Sequence, residues 1–304
     1  AAPDGAGLHD CTGTISDCTI AGNSASYRGG GLYACSAELR QCVVTQNVAV
    51  SGGGGLAQCS GRMLDSLITG NLSASGGGLY NCAGPAINCN VLGNTPSGVS
   101  VSTGSMSLQN CIIRENRTDQ IMVSGGATAS IAYSNVAGGW AGQGNLDADP
   151  QFAMSGYWDE SGTPEDPNDD FWVDGNYELR PASPCVDAGA WGPQVVQRAT
   201  DFAGNTRIQQ CRIDIGAFES PYYLDCNSNG ASDACDIRAG LSSDLNATGV
   251  PDDCEFLGDL NCDGGVNFGD INPFVLALTD PGVYDAMYPD CPLFRRDING
   301  DGAC

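Results

Sequence analysis

"GLYACSAELRQCVVTQNVAVSGGG" (residues 31–54) is followed at once by "GLAQCSGRMLDSLITGNLSASGG" (residues 55–77), and aligning the two puts like over like. Gly31-Leu32 and Cys35 fall over Gly55-Leu56 and Cys59, Val44 over Ile68, and Asn47 over Asn71. Working outward, Gly-Leu with Cys three positions later recurs at Gly7-Leu8-Cys11 and Gly78-Leu79-Cys82, at steps of 24, 24 and 23 residues. A second column reads Cys18, Cys42, Ser66, Cys89, Cys111 and Ser134. An apolar column reads Ile20, Val44, Ile68, Val91, Ile113 and Val136, and a third Asn23, Asn47, Asn71, Asn94 and Asn116. Short β-branched segments at this period, broken by Gly and Asn, are each one coil of a parallel β-helix. Helical repeats need longer units with 3.6-residue apolar spacing, and leucine-rich repeats need a helical half; neither is present. The fold class is therefore all-β, a solenoid whose equivalent side chains stack at about 4.8 Å and whose coils depend on their neighbours.

Composition narrows the function. Twelve cations, all Arg, face 36 acidic residues in 304, a net charge of −24. Such a surface repels phosphate backbones and anionic headgroups, so neither nucleic-acid binding nor membrane insertion is expected. No apolar run approaches the roughly 18 residues of a membrane span. Sixteen cysteines without a single CxxC pair point to disulfides or packed thiols in an oxidising compartment, hence a secreted, extracellular or cell-surface protein. The opening Ala1-Ala2-Pro3-Asp4 fits a mature product whose signal peptide has been removed.

The cysteine columns admit two readings. Bridges between neighbouring coils (Cys11–Cys35, Cys18–Cys42, Cys59–Cys82, Cys89–Cys111) use all eight residues. In-register strands also bring Cα atoms within the roughly 4.4–6.8 Å a disulfide tolerates. The alternative is an unbonded, inward-facing thiol ladder, free Cys packing as a small hydrophobe. Asp17, Gln41, Asp65, Asn88 and Asn110 share a register expected to be a solvated corner. Glu38 and Arg62, one coil apart, form an expected surface ion pair of little worth.

The coils resemble the right-handed parallel β-helix repeat proteins of secreted bacterial origin. "YSNVAGGWAGQGNLDADPQF" (133–152), "LRPASPCVDAG" (179–189) and "DFAGNTRIQQCRIDIGAFE" (201–219) are similar to that group's usual ending, so the resemblance spans about residues 7–220. It implies an ending packed onto the last coils and tied by Cys185–Cys211. The domains expected are coils over 1–150, a capping segment over 151–221 and calcium-binding repeats over 222–304. The acidic insertion "WDESGTPEDPNDDFWVDG" (158–175) reads as a solvated loop, with a cation site at Asp166, Asp169, Asp170 and Asp174 as the alternative.

Beyond residue 221 the composition turns to Asp, Asn and Cys. Calcium takes six to eight oxygen ligands, which a twelve-residue loop supplies from positions 1, 3, 5, 7 (a carbonyl), 9 and 12, with Gly at 6. Asp225, Asn227, Asn229, Ala231, Asp233 and Asp236 match this spacing around Gly230. Asp244, Asn246, Thr248, Val250, Asp252 and Glu255 do so around Gly249. Asp259, Asn261, Asp263, Gly265, Asn267 and Asp270 do so around Gly264. Asp297, Asn299 and Asp301 begin a fourth, partial loop. About three Ca2+ ions are expected, with their binding supplying folding energy. The third loop leads into a helix with Phe268, Ile271, Val275 and Leu278 on one face and Pro273 early in it. "GDLNCDGGVNFGDINPFVLAL" (258–278) resembles a dockerin type I repeat, with "DINGDG" (297–302) as the start of its duplicate. The first two loops look more like thrombospondin type 3 repeats. A cohesin partner is not implied, the second dockerin helix being missing. Cys226–Cys235 and Cys262–Cys291 are the bridges expected here.

Two classes of function follow. One is an extracellular structural protein, a calcium-stabilised rod serving as filament or adhesin subunit, its open strand edges favouring head-to-tail self-association. The other is a secreted polysaccharide lyase or hydrolase, or a non-catalytic carbohydrate-binding protein in contact with polysaccharide or a cell surface. Lyases of this fold use calcium with a Lys or Arg base; lysine is absent, and Arg28, Arg40, Arg114 and Arg117 lack a recognisable acidic constellation. Asp17 and Asp65 form a marginal hydrolase pair, and His9 reads as a surface residue. Tyr33, Tyr80, Trp140 and Trp158 are the aromatics available to stack on sugars. Asn71, Asn116 and Asn246 stand in glycosylation sequons.

Overall fold

The computed structural model describes residues 2–161, 170–190, 192, 199–209, 211–223, 225–226, 229–243, 251, 258–262, 266–288 and 291. The chain divides into two compact units, Ala1–Tyr223 and Leu224–Cys304.

The first unit is a parallel β-solenoid. Three of its faces are six-stranded parallel sheets and the fourth is four-stranded. One face stacks Leu8–His9, Leu32–Tyr33, Leu56–Ala57, Leu79–Tyr80, Ser97–Val101 and Asp119–Val123. Another stacks Thr19–Ala21, Val43–Thr45, Leu67–Thr69, Asn90–Leu92, Ile112–Arg114 and Asn135–Val136. In the latter, Ile20, Val44, Ile68, Val91, Ile113 and Val136 are paired in register from coil to coil, and all six are buried in one core. The apolar column is thus one stack of side chains, as the repeat requires.

The Asn column is the polar counterpart. Asn47 Nδ2 donates to Asn71 Oδ1 at 3.0 Å, Asn71 to Asn94 at 3.0 Å and Asn94 to Asn116 at 3.0 Å. Each Nδ2 also donates backward to the carbonyl of the apolar column, Asn71 to Val44 O at 2.8 Å for instance. The backbone N–H of each Asn from 23 to 94 meets the next coil's Oδ1. An amide buried this deeply is affordable only when its donors and acceptor are met, and here they are met by repetition. Asn71 and Asn116 are therefore enclosed and engaged, which puts both sequons out of reach in the folded chain.

Of the two cysteine readings, the structure takes the thiol ladder: Cys11, Cys18, Cys35, Cys42, Cys59, Cys82, Cys89 and Cys111 are all free. The inter-coil bridges are not formed, and the second column shows a reason. Ser66 Oγ donates to Leu64 O at 2.7 Å and receives the Cys42 N–H at 3.1 Å. Cys42, Cys89 and Cys111 Sγ make the same donation to the carbonyl two residues back, each at 3.3 Å. The position calls for a small side chain that donates, which both Ser and Cys supply. Burial pushes the Cys42 and Cys89 thiols up, keeping them protonated and unreactive.

Residues 185–190, 199–209 and 211–219 cover one corner. Asp17, Gln41, Asp65, Asn88 and Asn110 do share a register, all left-handed with φ between 48° and 54°, a conformation Asp and Asn tolerate best. The expected solvation fails for the later coils: Asp65, Asn88 and Asn110 are buried. Arg207 binds Asp65 on one side and, at 2.5 Å, Glu219 on the other, while Ala190 N donates to Asn110 Oδ1 at 2.8 Å. Phe152, Trp172, Tyr177 and Phe218 pack on the outward side chains Leu67, Leu92 and Ile112, so these strands are apolar on both faces. Cys185 is a free thiol in this layer and Cys211 is bonded elsewhere, so the pair implied by the resemblance does not form. Glu38 pairs with Arg40 of its own coil.

Among the described residues of the second unit are three short helices, α1 (Asp233–Ala239), α2 (Ile271–Thr279) and α3 (Pro281–Met287). Among its described residues few apolar side chains are buried, and Tyr284 Oη donates to Leu260 O at 2.8 Å. Cys262–Cys291 forms the expected disulfide, with Cα atoms 5.7 Å apart. Cys226 and Cys235 are also disulfide-bonded.

Candidate functional site

In the first calcium-type loop the side chains at positions 1, 5, 9 and 12 are each fixed by local hydrogen bonds. Asp225 accepts the N–H groups of Asn229 (3.1 Å) and Gly230 (2.9 Å), the turn that an Asp at position 1 creates. Asn229 Nδ2 reaches Asp236 Oδ2 at 2.8 Å, and Asn229 Oδ1 receives Ala231 N at 2.8 Å. Asp233 accepts Cys226 N at 2.8 Å. Ser232 caps α1, so Asp233 and Asp236 stand in its first turn, where helix polarity favours carboxylates. Both are buried. Asn227 lies outside the described residues.

The third loop repeats this plan with a difference. Asn267 starts a 3-10 turn (Phe268–Asp270) and forms a reciprocal capping box with Asp270. Asp270 also accepts the N–H of Leu260 at 2.7 Å and of Asn261 at 3.1 Å. Burial pushes this carboxyl up, but the N–H groups of Asn267, Asn261 and Leu260 prevail and hold it below its ordinary range. Asp259 begins this loop and is buried; Asp263 and Gly265 lie outside the described residues. So do Asp244, Asn246, Thr248, Val250, Asp252 and Glu255 of the second loop, and Asp297, Asn299 and Asp301 of the fourth.

The donor set fits calcium by chemistry: carboxylate, amide and backbone oxygens, with several like charges in one small loop that a divalent cation relieves. Among the described residues, no group of three His, Cys, Asp or Glu side chains forms a metal cluster. The amide oxygens and the undescribed positions would have to complete the shell.

The insertion is not a plain solvated loop. Tyr157–Asp159 and Phe171–Val173 pair antiparallel, and Trp172 is buried. Of the alternative cation ligands, Asp166 and Asp169 lie outside the described residues. Asp170 pairs with Arg117, and Asp174 binds Tyr177 Oη at 2.8 Å and the Trp172 indole at 3.1 Å. Composition alone hid this; the aromatic and β-branched run Phe171-Trp172-Val173 between Asp170 and Asp174 is the strand signal that could have found it. Asp65 is bound to Arg207, which removes the hydrolase pair with Asp17. His9 is exposed. Trp140 is half-buried and packs against the solenoid core. No helix among the described residues is long and apolar enough to cross a membrane.

Residues 17–35 match the Chlamydia polymorphic membrane protein (Chlamydia_PMP) repeat. No curated protein matches the chain. The matched residues hold Thr19–Ala21, Ser24–Arg28 and Leu32–Tyr33, three sides of one coil.

Proposed function

We propose that the chain is a structural protein of the bacterial cell surface, a β-solenoid rod whose C-terminal unit is stiffened by calcium. The observation that supports it best is the repeat match, which falls on one coil of a stack built by repetition of that coil. Antibody raised against the coils should label intact cells of the source organism. Labelling only after lysis would defeat the reading.

Calcium is supported by the first loop, where Asp225, Asn229, Asp233 and Asp236 stand at the spacing of a calcium loop and each is fixed by a local hydrogen bond. Calorimetric titration of chelator-treated protein should show binding, and hydrogen exchange should show new protection over residues 225–243 with the coils unchanged. No heat and unchanged exchange would remove calcium from the proposal. Head-to-tail self-association belongs to the same reading, since end coils carry backbone groups that only a cap or another strand can pair. Leu146 already pairs with Asn135 and its N–H donates to Ser134 O at 2.8 Å. A partner at that end would meet the Ala137–Leu146 segment rather than a bare edge. The lyase and hydrolase readings have no comparable support.

A further inference from the structure

The inserted hairpin is built against the coils, not draped over them. Trp172 lies across two coil glycines: a β carbon at Gly93 would come within 2.0 Å of the indole, and one at Gly70 within 3.1 Å of the Trp172 β carbon. Asp174 ties the hairpin down through the Thr69 hydroxyl at 3.2 Å. Trp158 meets Trp172 edge-on at 5.5 Å and donates to Glu115 O at 3.2 Å. Two spaces open beside this wall. One, of about 460 Å3, is bordered by Val48, Leu72, Thr95, Phe171, Trp158 and Asp170. The other, of about 440 Å3, is bordered by Glu115, Arg117, Gln120, Glu160 and again Trp158 and Asp170. Both lie in the size range of small-ligand clefts.

Asp170 stands between the two spaces with its side chain only 5% exposed. Its Oδ2 accepts from Arg117, but Oδ1 is buried with no hydrogen-bond partner among the described residues; the Thr95 hydroxyl in the first space is in the same state. Buried polar atoms left this way call for a partner. Arg117 already balances the carboxylate, so a second cation would meet the guanidinium; the fitting donor is a neutral O–H. Beside it, Phe171, Leu72 and Val48 expose apolar surface on which the C–H face of a ring can rest. The chain's net charge of −24 disfavours an anionic ligand.

We infer that this cleft binds a neutral saccharide unit, with a sugar hydroxyl donating to Asp170 Oδ1 and a ring face resting on Phe171. The inference depends neither on calcium nor on the cell-surface reading. The test is calorimetry and tryptophan fluorescence with cellohexaose, mannohexaose, maltohexaose and chitohexaose, beside hexagalacturonate and a Phe-Leu-Lys-Phe peptide. At least one neutral hexasaccharide should bind and alter the fluorescence. Asp170→Ala and Phe171→Ala should each weaken that binding by about tenfold or more without changing the far-UV melting curve. Phe171 is half exposed, so its variant decides the matter should Asp170→Ala misfold. No binding of any neutral sugar would overturn the inference. So would binding that Phe171→Ala leaves intact, or preference for the galacturonate or the peptide.

Discussion

Ile68 and Ile271 are the same residue under opposite conditions. Ile68 is fully buried between Val44 and Val91, whereas Ile271, on α2, is 51% exposed, with Phe268, Val275 and Leu278 beside it also open to solvent. The expected helix is there, Pro273 included, but its apolar face is not packed within the unit. In the solenoid each coil is the cover for the next, so an apolar residue at the right register is buried automatically. The described residues of the C-terminal unit show no such stack. Tyr284 bonded to Leu260, helix caps and a disulfide are what they show instead. A stack of coils makes its own interior; a unit without one needs other ties.

The largest expected effect lies where the solenoid stops relying on repetition. Arg207 is buried between Asp65 and Glu219. Arg207→Met leaves two carboxylates enclosed without their cation, and removing one partner of a buried pair costs about 3–5 kcal/mol. Chemical denaturation should show that loss, with hydrogen exchange rising first over residues 199–219. A loss under 1 kcal/mol would mean the cap is held by apolar packing alone.

Next comes the apolar stack. Ile68→Ala should cost about 2–5 kcal/mol in the same assay, the spread reflecting how far Val44 and Val91 can close the cavity. A smaller cost would imply coils that slide to refill the gap, contrary to a rigid register.

What the sequence disclosed follows the same division. The columns at Ile20–Val136 and Asn23–Asn116 were readable because period and residue type both repeat, and their side chains meet one another. The corner at Asp65 was misread because its partner is Arg207, 142 residues further along and outside any repeat. The cysteine spacing suited bridge and ladder equally; only the carbonyl beneath each thiol decides between them. In the first loop, spacing named Asp225, Asn229, Asp233 and Asp236; local turns and a helix cap fix each of them, and of these bonds only the one from Asn229 to Asp236 joins two of the four side chains. The Asp170 cleft escaped notice because its parts come from four coils and a hairpin.

A pH series sharpens the contrast at the cap. Burial pushes the Asp214 carboxyl up to about 7, against the N–H groups of Asp187 and Ser220, with Asp187, Arg207 and Glu219 as its charged neighbours. Its folded pKa lies above the ordinary 3.8, so the native state takes up this proton before the unfolded chain does. The stabilisation is complete below about pH 3.8 and fades as pH rises through about 7. Asp214→Asn should remove that slope, visible as the difference between wild-type and variant denaturation midpoints at pH 4, 5.5 and 7. Parallel curves would show that Asp214 does not titrate in this window.

The smallest expected effect is the most direct test of the contrast. Ile271→Ala removes an apolar side chain already half in water, so little transfer energy is lost and no cavity forms. Alanine also has the better helix propensity, by a few tenths of a kcal/mol. The net change should stay within about 0.5 kcal/mol in either direction, read from the unfolding of the C-terminal unit by helix circular dichroism. A cost of about 2 kcal/mol or more, the scale of a buried aliphatic side chain, would mean that this face is covered in solution. The two regions would then differ in who supplies the cover, the next coil or another partner, and no longer in whether apolar surface is covered at all.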